Sequence, residues 1–308
     1  MSVQTSGQLP RHTIELPTLT GVSAVFMWSA TVGLYRGISE AFGAVGGSAL
    51  IFTVSAVIAV LCTGPSAFSA LSKRYLIIGG GLFITYETAL ALAIGYATTR
   101  QQALEVGTVN YLWPSFTIAL AVWLGYQRAD WRMIPGLLLS LTGILWVSSG
   151  DRGISFTHII HNIGTNPVAY GLALIAATAW PVYTIITRAI SEGKNGVPVF
   201  LTLTAIVLWI KYFSTSQPPL HFNFNGAIMV LTFGVLTTLA YSAWNYGVMH
   251  GNLTLMATAS YFSPVLSVLM TSLLLHMMPG HTFWLGSLLV TAGSLICWLS
   301  THQTSVAA

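Results

Sequence analysis

Charge is what this sequence lacks most. Of its 308 residues, eleven are Lys or Arg and seven are Asp or Glu, 6% of the chain. A soluble globular protein carries about 25% charged residues, and its surface needs roughly that share to stay dissolved. So few charges exclude an ordinary cytosolic enzyme, a nucleic-acid-binding domain and a disordered chain. No basic run is longer than Lys73–Arg74, so the net charge of +4 reads as a set of topology signals rather than an anion-binding face. Cysteine is scarce as well. Cys62 and Cys297 both lie in apolar stretches, which supports neither a disulfide framework nor a zinc site. The signatures HExxH, GxSxG, GxGxxG and the P-loop are missing. His158 and His161 stand three apart with no accompanying carboxylate pair, so no metal and no cofactor is expected. An intramembrane enzyme needs a nucleophile–base pair or a metal cluster, and neither is visible.

What the chain has is apolar surface. Hydrophobic residues make up 54% of it, and the mean hydropathy is +0.74. A membrane span needs about 20 mostly apolar residues to cross about 30 Å of hydrocarbon. Ten segments qualify, at 17–36, 41–63, 75–97, 103–126, 131–150, 167–190, 196–213, 225–249, 253–276 and 280–301. The seventh is the shortest. The first is read as a retained helix rather than a cleaved signal, because residues 1–16 are mostly polar and the span has a partner later in the chain. Residues 154–163 form a mildly amphipathic stretch, read either as an interfacial helix or as a plain loop. Arg11, Lys73, Arg74, Arg128, Arg132, Arg188 and Lys194 fall on one side, and Arg36, Arg100, Arg152 and Lys211 on the other. The positive-inside bias places both termini in the cytoplasm.

An internal repeat organises these spans. Trp28, Arg36, Ile38, Ser39 and Glu40 each meet an identical residue 152 positions later, at Trp180, Arg188, Ile190, Ser191 and Glu192. At an offset of 150, Tyr111 matches Tyr261, Pro114 matches Pro264, Gly136 matches Gly286 and Gly143 matches Gly293. The expected architecture is an all-α polytopic membrane protein of ten transmembrane helices, arranged as two inverted five-helix repeats around a central cavity. A tail (1–16), a first repeat (17–150), a linker (151–166), a second repeat (167–301) and a C-terminal tail (302–308) follow. Five spans per repeat force the second copy to enter the membrane upside down, a transporter device with sites near the midplane.

Several polar and aromatic residues lie where lipid should discourage them. Trp28, Trp113 and Trp180 stand about ten residues inside their spans, about 15 Å of helix rise, and Trp244 is also well inside. They serve as helix packing, as a lipid-facing surface or as a cavity wall. Asn110 and Asn245 are either helix–helix glue or substrate ligands. Glu87 is the one carboxylate deep in a span. It is either a functional group or a protonated acid bonded to a neighbouring hydroxyl. Glu105 is expected at the interface, and Arg36 and Arg188 are expected to snorkel. Pro114, Pro181 and Pro264 sit inside spans as kinks or hinges. The candidate substrate-binding set is Trp28, Tyr86, Glu87, Asn110, Tyr111, Trp113, Trp180, Tyr183, Trp244, Asn245, Tyr261 and Ser263.

The segments YSAWNYGV (241–248), TASYFSPV (258–265) and GSLLVTAG (286–293), with NYLWPSF (110–116) in the first half, resemble the EamA-type branch of the drug/metabolite transporter superfamily. Within it, the whole chain looks most like the bacterial aromatic amino acid exporters. The resemblance implies a multi-pass inner-membrane exporter of Phe, Tyr, Trp and similar amphipathic solutes, working by alternating access, with one chain able to enclose the cavity. The alternative it leaves open is export of cationic drugs or another metabolite on the same fold. Many family members carry a Glu just before the fifth and tenth spans. Here those places read GYQRAD (125–130) and LHMMPG (275–280), so no role of that Glu carries over.

Overall fold

The computed structural model describes residues 16–64, 71–126, 128–148, 156–251, 256 and 259–302. Every regular element among them is a helix. Helices α1 (Leu16–Ser29) and α2 (Thr31–Phe42) form one stretch with a turn at Ala30. After them come α3 (Ala44–Thr63), a π-helical turn (Tyr75–Gly79) that opens α4 (Gly80–Gly95), α5 (Arg100–Asn110), α6 (Trp113–Trp123) and α7 (Met133–Ser148). The chain continues through α8 (Phe156–Thr165), α9 (Pro167–Ile190), α10 (Val197–Ser214), α11 (Phe224–His250), α12 (Ser263–Leu275) and α13 (His281–His302).

Seven stretches are long and apolar enough to cross a membrane: α1–α2, α3, α4 with its π turn, α9, α10, α11 and α13. Shorter apolar helices, α7 and α12, lie beside them. Large apolar side chains such as Leu61, Ile77, Phe213 and Leu273 stay exposed on the outer faces. Exposed apolar surface on that scale suits a lipid solvent and no other. The chain is therefore an all-helical polytopic membrane protein.

Local chemistry explains where the helices start and turn. Gly43 alone connects α2 to α3. Its φ of +75° lies in the left-handed region, and a side chain there would also stand 2.9 Å from Pro218 Cγ. Thr99, Asn166 and Asn223 cap α5, α9 and α11 by accepting from Gln102, Ala169 and Gly226 backbone N–H groups. Such caps contribute about 1 kcal/mol each.

The helices pair across the chain. The most extensive contacts join α7 to α13, α3 to α10, α1 to α11 and α4 to α9. The α7–α13 seam is made by glycine. A Cβ on Gly136 would lie 2.9 Å from Gly293 O, and one on Gly143 would lie 2.6 Å from Gly286 O. Close backbone approach through small residues is how helices associate in lipid, where no hydrophobic force separates them from the solvent. Ser115 ties α6 into this seam, with its Oγ 3.0 Å from Ser140 Oγ and 3.0 Å from Ser294 Oγ.

Of the two readings left open for the amphipathic stretch, residues 156–165 take the helix. Pro114 and Pro264 do not kink continuous helices. Turns at Tyr111–Leu112 and Tyr261–Phe262 precede them, and each proline falls in the first turn of a new helix, α6 or α12. A missing N–H costs little there, because the first turn has no intrahelical partner for it. Only Pro181 stands inside a continuous helix, α9. Glu105 is 5% exposed and accepts the Tyr170 hydroxyl from α9, which satisfies a carboxyl that burial would otherwise penalise.

Candidate functional site

The four interior tryptophans meet. Trp28, at the end of α1, lies 5.4 Å from Trp244 and 5.4 Å from Tyr241, both on α11. Trp180, on α9, lies 4.6 Å from Tyr86, 5.2 Å from Tyr183, 6.4 Å from Trp113 and 6.4 Å from Tyr241 (ring centroids). Tyr241 thus stands between the repeat-matched Trp28 and Trp180. Phe83 closes the group, 5.5 Å from Tyr241 and 5.6 Å from Tyr183. Most of these rings are edge-on or tilted, the arrangements that ring quadrupoles favour. The helical spacing creates the box. Tyr241 and Trp244 share a face three residues apart, as do Trp180 and Tyr183, and the turn at Tyr111–Leu112 sets Trp113 at the head of α6.

Beneath the box lies Glu87. It is 5% exposed, and the Tyr241 hydroxyl donates to its carboxyl. The Tyr35 hydroxyl of α2 approaches the same carboxyl. Among the described residues no cation pairs with Glu87. A lone carboxylate in a low-dielectric interior is costly, so this one is held by hydroxyl donors and open to a proton or an ammonium group. Asn110, also 5% exposed, stands beside Tyr86, and its Oδ1 has no hydrogen-bond partner among the described residues.

A narrow cleft of about 20 Å³, room for roughly one water, reaches Tyr241 from one end of the bundle. Cys62, Thr63, Asn195, Thr238, Tyr241 and Ser242 line it. The opposite end, about 30 Å away along α3 at 1.5 Å per residue, is tied shut. Glu40 Oε1 accepts from Arg36 Nε at 2.8 Å, and Glu40 Oε2 accepts from Arg100 Nη2 at 2.8 Å. Arg100 Nη1 also donates to Leu275 O at 2.7 Å, and Arg36 donates to Ala97 O. This lock joins α2, α5 and α12. Arg36 does not snorkel freely, since its side chain is 12% exposed.

Not every candidate joins the box. Tyr111 packs with Val106, Ile144 and Tyr170, and Tyr261 with Ile118 and Cys297. Ser263 and Pro264 are buried at the start of α12, and Pro181 is buried inside α9. The side chains of Asn245 and Arg188 lie outside the described residues. Tyr35, Tyr241, Glu40 and Arg100 belong to the site although they were not among its candidates. The first was legible as a residue seven beyond Trp28, hence on the same helical face. Arg36 and Glu40 were legible as an i,i+4 pair, but Arg100 joins them only through the fold.

Known proteins agree with this layout. The model of the EamA-like transporter family matches residues 167–299. The aromatic amino acid exporter YddG of Salmonella typhimurium is 44% identical over 291 residues, 94% of this chain and 99% of its own length. The chain belongs to the EamA-like transporter family. Its Escherichia coli relative, also an aromatic amino acid exporter YddG, is again 44% identical over the same share, and that of Ancylobacter novellus is 24% identical over 93% of this chain. A solved crystal structure superposes with a TM-score of 0.68 at 22% identity, over 94% of this chain and 98% of its own, which shows the fold. Membership of this family makes the chain a transporter, not an enzyme.

Proposed function

We propose that the protein exports aromatic amino acids across the bacterial inner membrane by alternating access. The observation that carries this reading is the box of half-buried Trp28, Trp113, Trp180 and Trp244 around the buried Tyr241, with a buried carboxylate beneath it. A substrate ring entering the box gains offset or edge contacts of about 0.5–1.5 kcal/mol each. An ammonium group meets the uncompensated Glu87 and the aromatic faces, a combination that holds organic cations well. Tyr86, Tyr183, Asn110 and Asn245 orient the polar end. Tyr111, Tyr261 and Ser263 flank the route, and Pro114, Pro181 and Pro264 mark where helices bend or restart. The relatives named as aromatic amino acid exporters support the substrate class.

The same reading has ten spans in two inverted halves. The seven long stretches, the shorter α7 and α12, and the broken pair α5–α6 make up that number. Helix pairing supports the inversion. Exchanging the halves turns α1–α11 into α9–α4 and returns α3–α10 and α7–α13 to themselves. The seam contact Gly136–Gly293 becomes Gly286–Gly143, which is also present. Both termini lie in the cytoplasm, and one chain in the bilayer encloses the site without a second copy. The halves then rock about the box, exposing it to the Cys62 end or the Arg36 end in turn.

Cells expressing the chain should survive a toxic Phe analogue that inhibits control cells, and should release more Phe when overfed with Phe-containing peptides. Unchanged resistance and release would remove the substrate assignment. Resistance confined to aromatic cationic drugs would favour the alternative that the unpaired Glu87 also suits.

A further inference from the structure

Hydroxyl groups in membrane helices have a default partner, the carbonyl four residues earlier. This chain uses it throughout: Ser29, Ser48, Ser55, Thr108, Thr117 and Thr204 all donate to it. On α12, Ser272 does so too, to Val268 O at 2.5 Å. Ser267 and Thr271 of the same helix do not. They are 2% and 0% exposed; the Thr271 hydroxyl has no hydrogen-bond partner among the described residues, and the Ser267 hydroxyl has only the Tyr111 hydroxyl beside it. Orphan polar atoms of this kind are costly, and each one asks for a missing ligand or water. Thr88, Ser287 and Thr291 are orphans elsewhere, on α4 and α13, while Thr187 of α9 stands beside the Tyr183 hydroxyl.

What sets the α12 pair apart is where it lies. Helices α2, α5 and α12 pack on one another. A Cβ on Gly33 of α2 would stand 3.1 Å from Thr271 Cα, and one on Gly107 of α5 would stand 2.6 Å from Val32 Cγ2. Arg100 of α5 holds Leu275 O of α12. From that tie, α12 runs back through Thr271 to Ser267 while α5 runs inward to Asn110, and Ser267 meets Tyr111, the residue after Asn110. Asn110 in turn stands beside Tyr86, which stacks against Trp180.

We propose that Ser267, Thr271 and Asn110 form the subsite for the charged end of a zwitterionic substrate, an inference that rests on the amino acid reading above. The two hydroxyls donate to the carboxylate, and Asn110 Oδ1 accepts from the ammonium group. Ser267 and Thr271 are about 6 Å apart along the helix. A carboxylate taking one hydrogen bond of about 2.7 Å on each oxygen bridges a gap of that size. The subsite ends at Arg100, so opening the Arg36 end frees a cation beside the departing carboxylate.

The test uses the full-length protein in proteoliposomes, with labelled L-Phe counterflow and phenethylamine, which lacks the carboxylate, as competitor. Ser267→Ala with Thr271→Val should raise the KM for L-Phe about tenfold, the worth of a hydrogen bond to a charged group, with a smaller change in kcat. Inhibition by phenethylamine should stay near wild type, which also reports an intact box. Asn110→Leu should weaken both. Ser272→Ala, whose hydroxyl keeps its own helix carbonyl, should change nothing. An unchanged KM in the double variant, as expected if the hydroxyls hold only structural water, overturns the subsite. So does an equal loss for both compounds. A wild-type chain that carries no L-Phe at all would instead overturn the substrate reading on which the subsite rests.

Discussion

The two ends of the bundle carry matching sequence and behave differently. Arg36 and Glu40 recur as Arg188 and Glu192. The first pair is drawn into a lock with Arg100 and the carbonyls of Ala97 and Leu275. At the other end, Glu192 sits in the left-handed region at φ 53°, with Lys194 Nζ 3.8 Å away and both side chains exposed, while the Arg188 side chain lies outside the described residues. An exposed pair at that distance is worth at most about 1 kcal/mol. A cleft reaches inward at the loose end, lined by Cys62 and Asn195. A repeat therefore fixes which residues stand at each end, while the surrounding backbone decides which end is engaged. A transporter that alternates must exchange these two conditions.

Breaking the lock should have the largest effect. Arg100→Ala removes the tie to both Glu40 and Leu275 O and should lower counterflow about fivefold, a figure discounted for a side chain that is 47% exposed. Lys194→Ala, at the loose end, should leave the rate within about twofold, since its one contact is 3.8 Å long and exposed. Equal losses would erase the contrast between the ends. The next effect is on the static frame. Gly143→Ala at the α7–α13 seam, where a Cβ meets Gly286 O at 2.6 Å, should destabilise by about 1–3 kcal/mol. Gly171→Ala, with nothing within 4 Å of the new Cβ, should lie within about 0.5 kcal/mol of wild type or above it. Thermal unfolding in detergent compares them. The smallest effect concerns access. Cys62 is exposed and lines the cleft, whereas Cys297 is buried. A maleimide should label Cys62 alone in the folded protein, and saturating L-Phe should slow it. Labelling of Cys297 at the same rate would contradict the packing of α13.

Much of this was readable from residues. The interior positions of Trp28, Trp113, Trp180 and Trp244 followed from counting along the spans, and the structure brings all four together. Rotation about each helix axis was not readable, because a span apolar all round carries no amphipathic signal. That is why Tyr261 was expected at the site yet packs with Ile118 and Cys297. Helix breaks were hidden for a related reason. Hydropathy sees a continuous apolar run through Tyr111 and Leu112, and only the backbone shows that Pro114 begins a helix rather than bending one. The partner of Glu105 was invisible in sequence, because Tyr170 lies 65 residues further on.

The claim that the aromatic box binds the substrate ring is met most directly by L-Phe counterflow through Trp180→Leu beside Trp180→Phe. Trp180 faces the rings of Tyr86, Trp113, Tyr183 and Tyr241 at once. With ring contacts worth about 0.5–1.5 kcal/mol each, Leu should raise the half-saturation concentration about tenfold, and Phe should restore most of it. Half-saturation unchanged in Trp180→Leu, in a protein that still transports, would contradict the assignment.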